Sequence, residues 1–225
     1  MMLMRVVTIA APKGGSCKTT TTTLLAVRAV EDYKAVCMID LNADQANLAQ
    51  WHVSRGSPAN PHLEHDITNI TRDVDAIRAS KKFDWLFIDT PPLDMDVIEN
   101  AVIVADCVVI PVRSSIFDLG AVDAIIEMCK ARRKPCKFLL SAVDSKFKNL
   151  NATAFSTLRD LGDVFVSRVT YRLPYINALT VGKTGPEIDR DLALEINGLW
   201  TEVKDLADGA AKNLRSQRGL AANEH

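Results

Sequence analysis

The sequence lacks a dominant charge. Its 225 residues carry 27 Lys and Arg against 28 Asp and Glu, a formal net charge of −1, so no global field draws the whole molecule onto nucleic acid and any such binding needs a local patch. It also lacks a long apolar run. The longest, residues 101–112, is broken by Asp106 and falls far short of the ~20 residues that cross a bilayer. The five cysteines are an odd number with no CxxC pair, and no basic n-region with an apolar h-region opens the chain. Both absences argue against a disulfide-stapled secreted protein and for a reducing cytosol. His52, His62 and His65 show no metal-ligand spacing, and there are no internal repeats or low-complexity tracts. What is present, at 48% hydrophobic residues, can bury a substantial core as one soluble globular domain.

Short apolar runs at residues 6–10, 35–39, 85–88, 107–112 and 138–143 read as buried strands. Between them, residues 18–31, 73–79, 97–104, 121–132 and 152–161 have helical spacing, and a last helix is expected over about 191–211. Alternation of this kind gives an α/β fold, a doubly wound, mostly parallel sheet with helices on both faces. Residues 54–65, with Gly56, Pro58 and Pro61, read as a loop within one domain spanning 1–211. Residues 212–225 are polar and read as a flexible tail.

The first strand runs into Ala11-Pro-Lys-Gly-Gly-Ser-Cys-Lys-Thr-Thr20 and then a helix. A strand-to-helix loop of this type aims backbone N–H groups and the positive helix end at one spot, which suits phosphate. Gly14 and Gly15 clear that approach, Lys18 reaches the β and γ phosphates, and the Thr19 hydroxyl ligates Mg²⁺. The general phosphate-loop spacing fails at its outer glycine positions, which hold Pro12 and Cys17; the alternative KGGxxKT fits, with Lys13 as an additional lysine. On that motif, on Asp40 at the end of the second strand, on Asp89-Thr90-Pro91-Pro92 after a buried strand, on residues 111–115 with Asp118-Leu119, and on Gly182, Gly185 and Pro186 before the last helix, the sequence resembles the ParA/MinD family of deviant Walker P-loop ATPases.

The resemblance implies a slow Mg²⁺-dependent ATPase that works as a switch, with ATP/ADP and Mg²⁺ as cofactors. It places Lys13, Gly14, Gly15, Ser16, Cys17, Lys18, Thr19, Thr20 and Pro174 around the nucleotide, Lys13 reaching the partner's nucleotide across a dimer. Thr19, Asp40 and Asp89 serve the metal, and Thr90 senses the γ phosphate. Lys13, Lys18, Asp40 and Asp44 form the catalytic set. It also implies a homodimer when ATP is bound, non-specific DNA, a ParB-like centromere-binding adaptor, no membrane, and a cytoplasmic, nucleoid-associated protein that segregates a plasmid or similar cargo. With the phosphate loop beginning at Pro12, the chain resembles the small plasmid type without a helix-turn-helix extension.

Two residues depart from the family pattern. Glycine is usual where Cys17 stands, because the backbone there takes φ > 0, at a cost to other residues of about 1 to 2 kcal/mol; a thiol at a helix start beside Lys18 is expected to have a lowered pKa. In the D-x-D-P-Q pattern the second acid is Asn42 counted from Asp40, whereas counting back from Gln45 puts Asp44 in the proline slot. Asp44 is the expected water-orienting acid. Arg168, Arg172, Lys183, Arg190, Lys204, Lys212, Arg215 and Arg218, with Lys130, Arg132, Arg133 and Lys134, are the cations available to DNA. A MinD-like membrane-positioning ATPase would need a C-terminal amphipathic helix, for which the tail offers only Leu214 and Leu220; a scaffold that has lost its nucleotide site would bind no ATP. Cys37, Cys107, Cys129 and Cys136 read as core. Trp51 and Trp200 pack against the sheet. Tyr171 and Tyr175, flanking Pro174, line the adenine side or pack on the last helix.

Overall fold

The computed structural model of the chain describes residues 4–65, 67–114 and 122–222, with side chains described as far as Ala210. Ser115, Asp118 and Leu119 of the expected motif lie outside the described residues, as do the side chains of Lys212, Leu214, Arg215, Arg218 and Leu220 of the tail. Six strands form the sheet: β1 (Arg5–Ile9), β2 (Val36–Asp40), β3 (His62–Glu64), β4 (Trp85–Asp89), β5 (Cys107–Arg113) and β6 (Cys136–Ser141). Their order is β3-β2-β4-β1-β5-β6, and all pairs are parallel. The expected α/β fold stands. The sheet is wholly parallel among the described residues, and it includes β3 where a loop was expected. Only three residues long and polar at both ends, β3 carries no strand pattern of its own; it forms because the parallel edge of β2 accepts it, Cys37 opposite His62 and Ile39 opposite Glu64. Beyond β6, single bridges from Phe138 to Val164 and from Val143 to Thr170 cover the other edge.

Continuous apolar strands are what a sheet covered on both faces requires. Along β1 the side chains alternate: Val7 and Ile9 join one core layer, and Val6 joins the other. The first layer is closed by α1 (Lys18–Glu31), α2 (Asn47–Ser54), α7 (Leu173–Thr180) and α9 (Ala193–Ala222). The second is closed by α3 (Ile70–Ser80), α4 (Met95–Val104), α5 (Asp123–Ala131) and α6 (Lys148–Leu161). A four-residue helix, α8 (Gly185–Ile188), and a 3₁₀ turn over Arg190–Leu192 lead into α9. The backbone of α9 continues past the expected end near residue 211 to Ala222, through a segment in which alanine, lysine, arginine and glutamine are good helix formers.

Trp200 anchors α9. Its ring meets Trp85 edge-on at 4.7 Å and its indole N–H donates to Asp32 at 3.1 Å, in agreement with the sequence reading. Trp51 enters the same layer and donates to the Lys183 carbonyl at 2.9 Å. On register, Ile9 and Asp40 both pair with Asp89. The carboxyl ends of β1, β2 and β4 therefore form one line, and the phosphate loop rises directly from it.

Candidate functional site

The loop leaves β1 with the Ala10 N–H donating to Val109 at 3.0 Å, then turns twice through left-handed backbone, at Gly15 (φ 73°) and Cys17 (φ 68°). The positive φ expected at Cys17 is there. A Cβ on Gly14 would meet nothing within 4 Å, while one on Gly15 would stand 3.6 Å from the Arg113 guanidinium. Three donors pin the loop: Ser16 Oγ and Lys18 Nζ both donate to the Lys13 carbonyl, at 3.1 and 3.0 Å, and Ser141 Oγ donates to the Ser16 carbonyl at 3.0 Å. The Lys18 ammonium is thus drawn back over the loop. The Cys17 thiol departs from expectation. Burial pushes its pKa up, outweighing the hydrogen bond with Ser141 and the nearby charges of Arg113 and Lys18.

Asp89 ends β4 with 1% of its surface exposed. Thr19 Oγ1 donates to its Oδ2 at 2.6 Å, and its buried Oδ1 has no partner. Burial, reinforced by Asp40 alongside, pushes the carboxyl up to about 7 against the pull of Thr19 and Lys18. Burial in turn lowers Lys18, and Asp89 offsets part of that. An orphaned carboxylate oxygen beside a threonine hydroxyl and a buried ammonium is an arrangement that a hard divalent cation and a phosphate would satisfy together. Thr90, also buried, donates to the Ile9 carbonyl at 3.0 Å.

Asp40 has a use that the sequence reading did not give it. Its Oδ1 accepts from Asn42 N–H at 2.9 Å, and its Oδ2 accepts from Leu48 and Ala49 N–H at 3.0 and 3.1 Å, so the carboxylate caps α2, whose own N-cap Ala46 has no side-chain acceptor. Burial pushes Asp40 up in spite of these amides. Asp44, the expected water-orienting acid, is exposed on the turn before α2 and does not line the cavity, whereas Asn42 is buried and does. The turn carries Asp44 outward because Asn42 folds back, its amide donating to Gln45 Oε1 at 3.3 Å.

In front of the loop lies a cavity of about 450 Å³, lined by residues 14–20 and continuing past Asn42, Gln45 and Gln50 to Trp51, Ser54, Leu179 and Thr180. Every expected loop residue from Gly14 to Thr20 lines it; Lys13, whose carbonyl accepts from Ser16 and Lys18, does not. Pro174 does not line the cavity. It opens α7, the helix whose far end delivers Leu179 and Thr180. Tyr175 packs on the last helix, its hydroxyl donating to Glu195 at 3.1 Å, and Tyr171 is exposed. Gln50, Trp51 and Ser54 were not anticipated as lining residues, since α2 has no local cap to announce it.

Among the expected cations, Arg168, Arg172, Lys183 and Arg190 are exposed. Others are engaged within the chain: Lys204 with Asp32, Lys130 with Glu127, Arg132 with Glu99, and Lys134 with the Ala105 carbonyl. Among the described residues no group of His, Cys, Asp and Glu could hold a metal ion by itself, and no helix is long and apolar enough to cross a membrane.

Comparison with known proteins agrees with this geometry. Residues 7–184 match the CobQ/CobB/MinD/ParA nucleotide-binding domain. The maintenance of carboxysome distribution protein A of Halothiobacillus neapolitanus is 28% identical over 202 residues, 85% of this chain and 92% of that protein. Septum site-determining protein MinD of Pyrococcus horikoshii, complexed with Mg-ADP, superposes with a TM-score of 0.72 at 18% identity, over 93% of this chain and 100% of that one. A Borrelia burgdorferi protein assigned to plasmid partition, bound to AMPPNP, gives 0.71 at 16% identity, over 90% and 99%. The chain belongs to the CobQ/CobB/MinD/ParA nucleotide-binding family, whose ParA/MinD members are ATPases.

Proposed function

From that membership, we propose that the chain is an ATP-dependent dimerisation switch that binds DNA without sequence preference and positions a large cargo through an adaptor protein. The observation that carries the reading is the orphaned Asp89 Oδ1 beside Thr19 and Lys18, at the mouth of an open glycine loop. These residues fit a magnesium nucleotide. Thr19 and Asp89 would hold the cation, Lys18 and the loop amides would hold the phosphates, and Lys13 would serve the partner's nucleotide. Bound Mg²⁺ would supply charge neutralisation on the phosphate oxygens.

The chain's own groups suit a slow reaction. Asn42 at the cavity can orient a water but cannot accept its proton, and Asp40 has both oxygens committed to backbone amides. Exposed Arg168, Arg172, Lys183 and Arg190 supply local positive charge on a nearly neutral molecule, which pairing of two copies would double. The proposed cargo is broader than a plasmid, because the Halothiobacillus relative is named for carboxysome distribution.

The test is a titration of Mg²⁺-ATP with mass followed by light scattering, then DNA binding across a salt series. A doubling of mass with ATP, and DNA affinity that falls steeply with salt at a slope of roughly −0.9 per neutralised phosphate, support the switch. A chain that binds ATP yet stays monomeric refutes dimerisation, and one that binds no ATP is a scaffold.

A further inference from the structure

The second core layer stops short of one strand. Leu63 of β3 joins the first layer, so its neighbours His62 and Glu64 face the other side of the sheet. There α3 buries Val74 and Ile77 in a cluster that contains no residue of β3. The uncovered end is a cleft of about 510 Å³ between β3, α3 and Phe83, wider than the cavity of about 450 Å³ in front of the phosphate loop. No residue lines both.

One wall of the cleft is flat. The His62 ring stacks on Phe83 with centroids 5.6 Å apart and planes at 11°, and Ile67 and Ile77 extend this wall as apolar surface. The polar groups are unevenly matched. Both acids are already answered: Glu64 lies 3.5 Å from His62 Nε2, and Asp73 accepts from the Thr68 and Asn69 N–H groups at 3.0 Å each and from Arg72 Nε at 2.8 Å. The Ser80 hydroxyl donates to the Ile77 carbonyl at 2.7 Å. The Lys82 ammonium and the His65 ring line the same cleft, and neither makes a hydrogen bond or ion pair among the described residues. The groups left over are therefore donors, one of them with a full positive charge.

We propose that this cleft is a binding site for a small aromatic carboxylate. The ring lies along the His62–Phe83 wall, and the carboxylate meets Lys82 and His65. One unanswered ammonium suits one negative charge, which favours a carboxylate over a phosphate dianion. A flat apolar wall beside a few converging polar groups is the usual make-up of a small-molecule site.

The experiment titrates benzoate into the full chain at neutral pH, without nucleotide, and follows the ring protons of the four histidines by NMR. His62→Gln and His65→Gln assign two of the signals. His62 and His65 should shift together and saturate, with a Kd on the order of 1 mM or tighter, a range open to a ligand of this size. Benzamide has the same shape without the charge, and it should bind at least about tenfold more weakly, as should benzoate to Lys82→Gln, since each loses a hydrogen bond between charged groups. Lys82 is exposed, so its replacement leaves the fold in place. Excess Mg²⁺-ATP should leave the benzoate titration unchanged. Shifts that never saturate overturn the proposal, as do benzamide or cationic benzamidine binding as tightly as benzoate, an unaltered titration of Lys82→Gln, or displacement by ATP. The benzoate readout needs no nucleotide, so its failure is separable from failure of the proposed switch.

Discussion

Asp89 is the residue whose replacement tests the site most directly. In the ligand-free chain it is a buried carboxyl, one of whose oxygens has no partner, with its pKa raised from the ordinary 3.8 to about 7. The folded state therefore holds its proton more tightly than the unfolded chain does, and stability falls as pH rises from about 4 to about 7, the reverse of a salt-bridged aspartate. At about 1.4 kcal/mol per pH unit, the full loss is on the order of 4 kcal/mol, of which roughly 2 to 3 kcal/mol falls between pH 5 and pH 8. Asp89→Asn removes the titration but keeps an oxygen to accept from Thr19. Its stability relative to the parent should rise by roughly 2 to 3 kcal/mol between those two pH values. Urea unfolding of both proteins at pH 5 and pH 8, without nucleotide or metal, measures the difference. Mg²⁺-ATP should stabilise the parent at pH 8 and leave the variant nearly unaffected. A pH-independent difference, or an advantage that shrinks toward pH 8, would refute the buried-carboxylate account.

Three further substitutions probe the surroundings. Cys17→Gly relieves a left-handed residue at a cost of about 1 kcal/mol to the parent but loosens the unfolded chain by a similar amount, so thermal stability should stay within about 1 kcal/mol while ATP affinity rises; weaker ATP binding would show that the thiol is an adapted part of the loop. Asn42→Asp should raise single-turnover ATP hydrolysis roughly 100-fold or more, within the range for a positioned general base, whereas Asp44→Ala should not change it; the opposite pattern would return the role to Asp44. Gly182→Ala would put a Cβ 2.1 Å from the Arg55 backbone nitrogen at a φ of 67°, so we expect a loss of about 3 kcal/mol or more and a Tm lower by about 6 °C or more; an unchanged Tm would mean that the α2–α7 junction yields easily.

The phosphate loop, Asp89 and five of the six strands could be read from the sequence, because each depends on neighbouring residues: an apolar run, a glycine pair, a lysine before threonine. What escaped depends on contacts far apart in sequence. β3 exists only because β2 offers a parallel edge, and α2 starts only because Asp40 lends its carboxylate to Leu48 and Ala49. The different positions of Asn42 and Asp44 follow from one turn that no residue count could orient. For Cys17 the local rule, a helix start beside a lysine, was outweighed by desolvation, which only the packed structure reveals. Pro174 was placed by analogy of position, while the structure uses it to begin a helix.

The two margins of the sheet bear on solubility. One is a strand of three residues and the other is already bridged at Phe138 and Val143, so among the described residues few ladder positions are open to a foreign strand. Long unpaired edges invite runaway aggregation. If two copies pair and separate as proposed, margins like these leave the contact between them to side chains and bound nucleotide, which can be reversed, rather than to backbone ladders, which propagate.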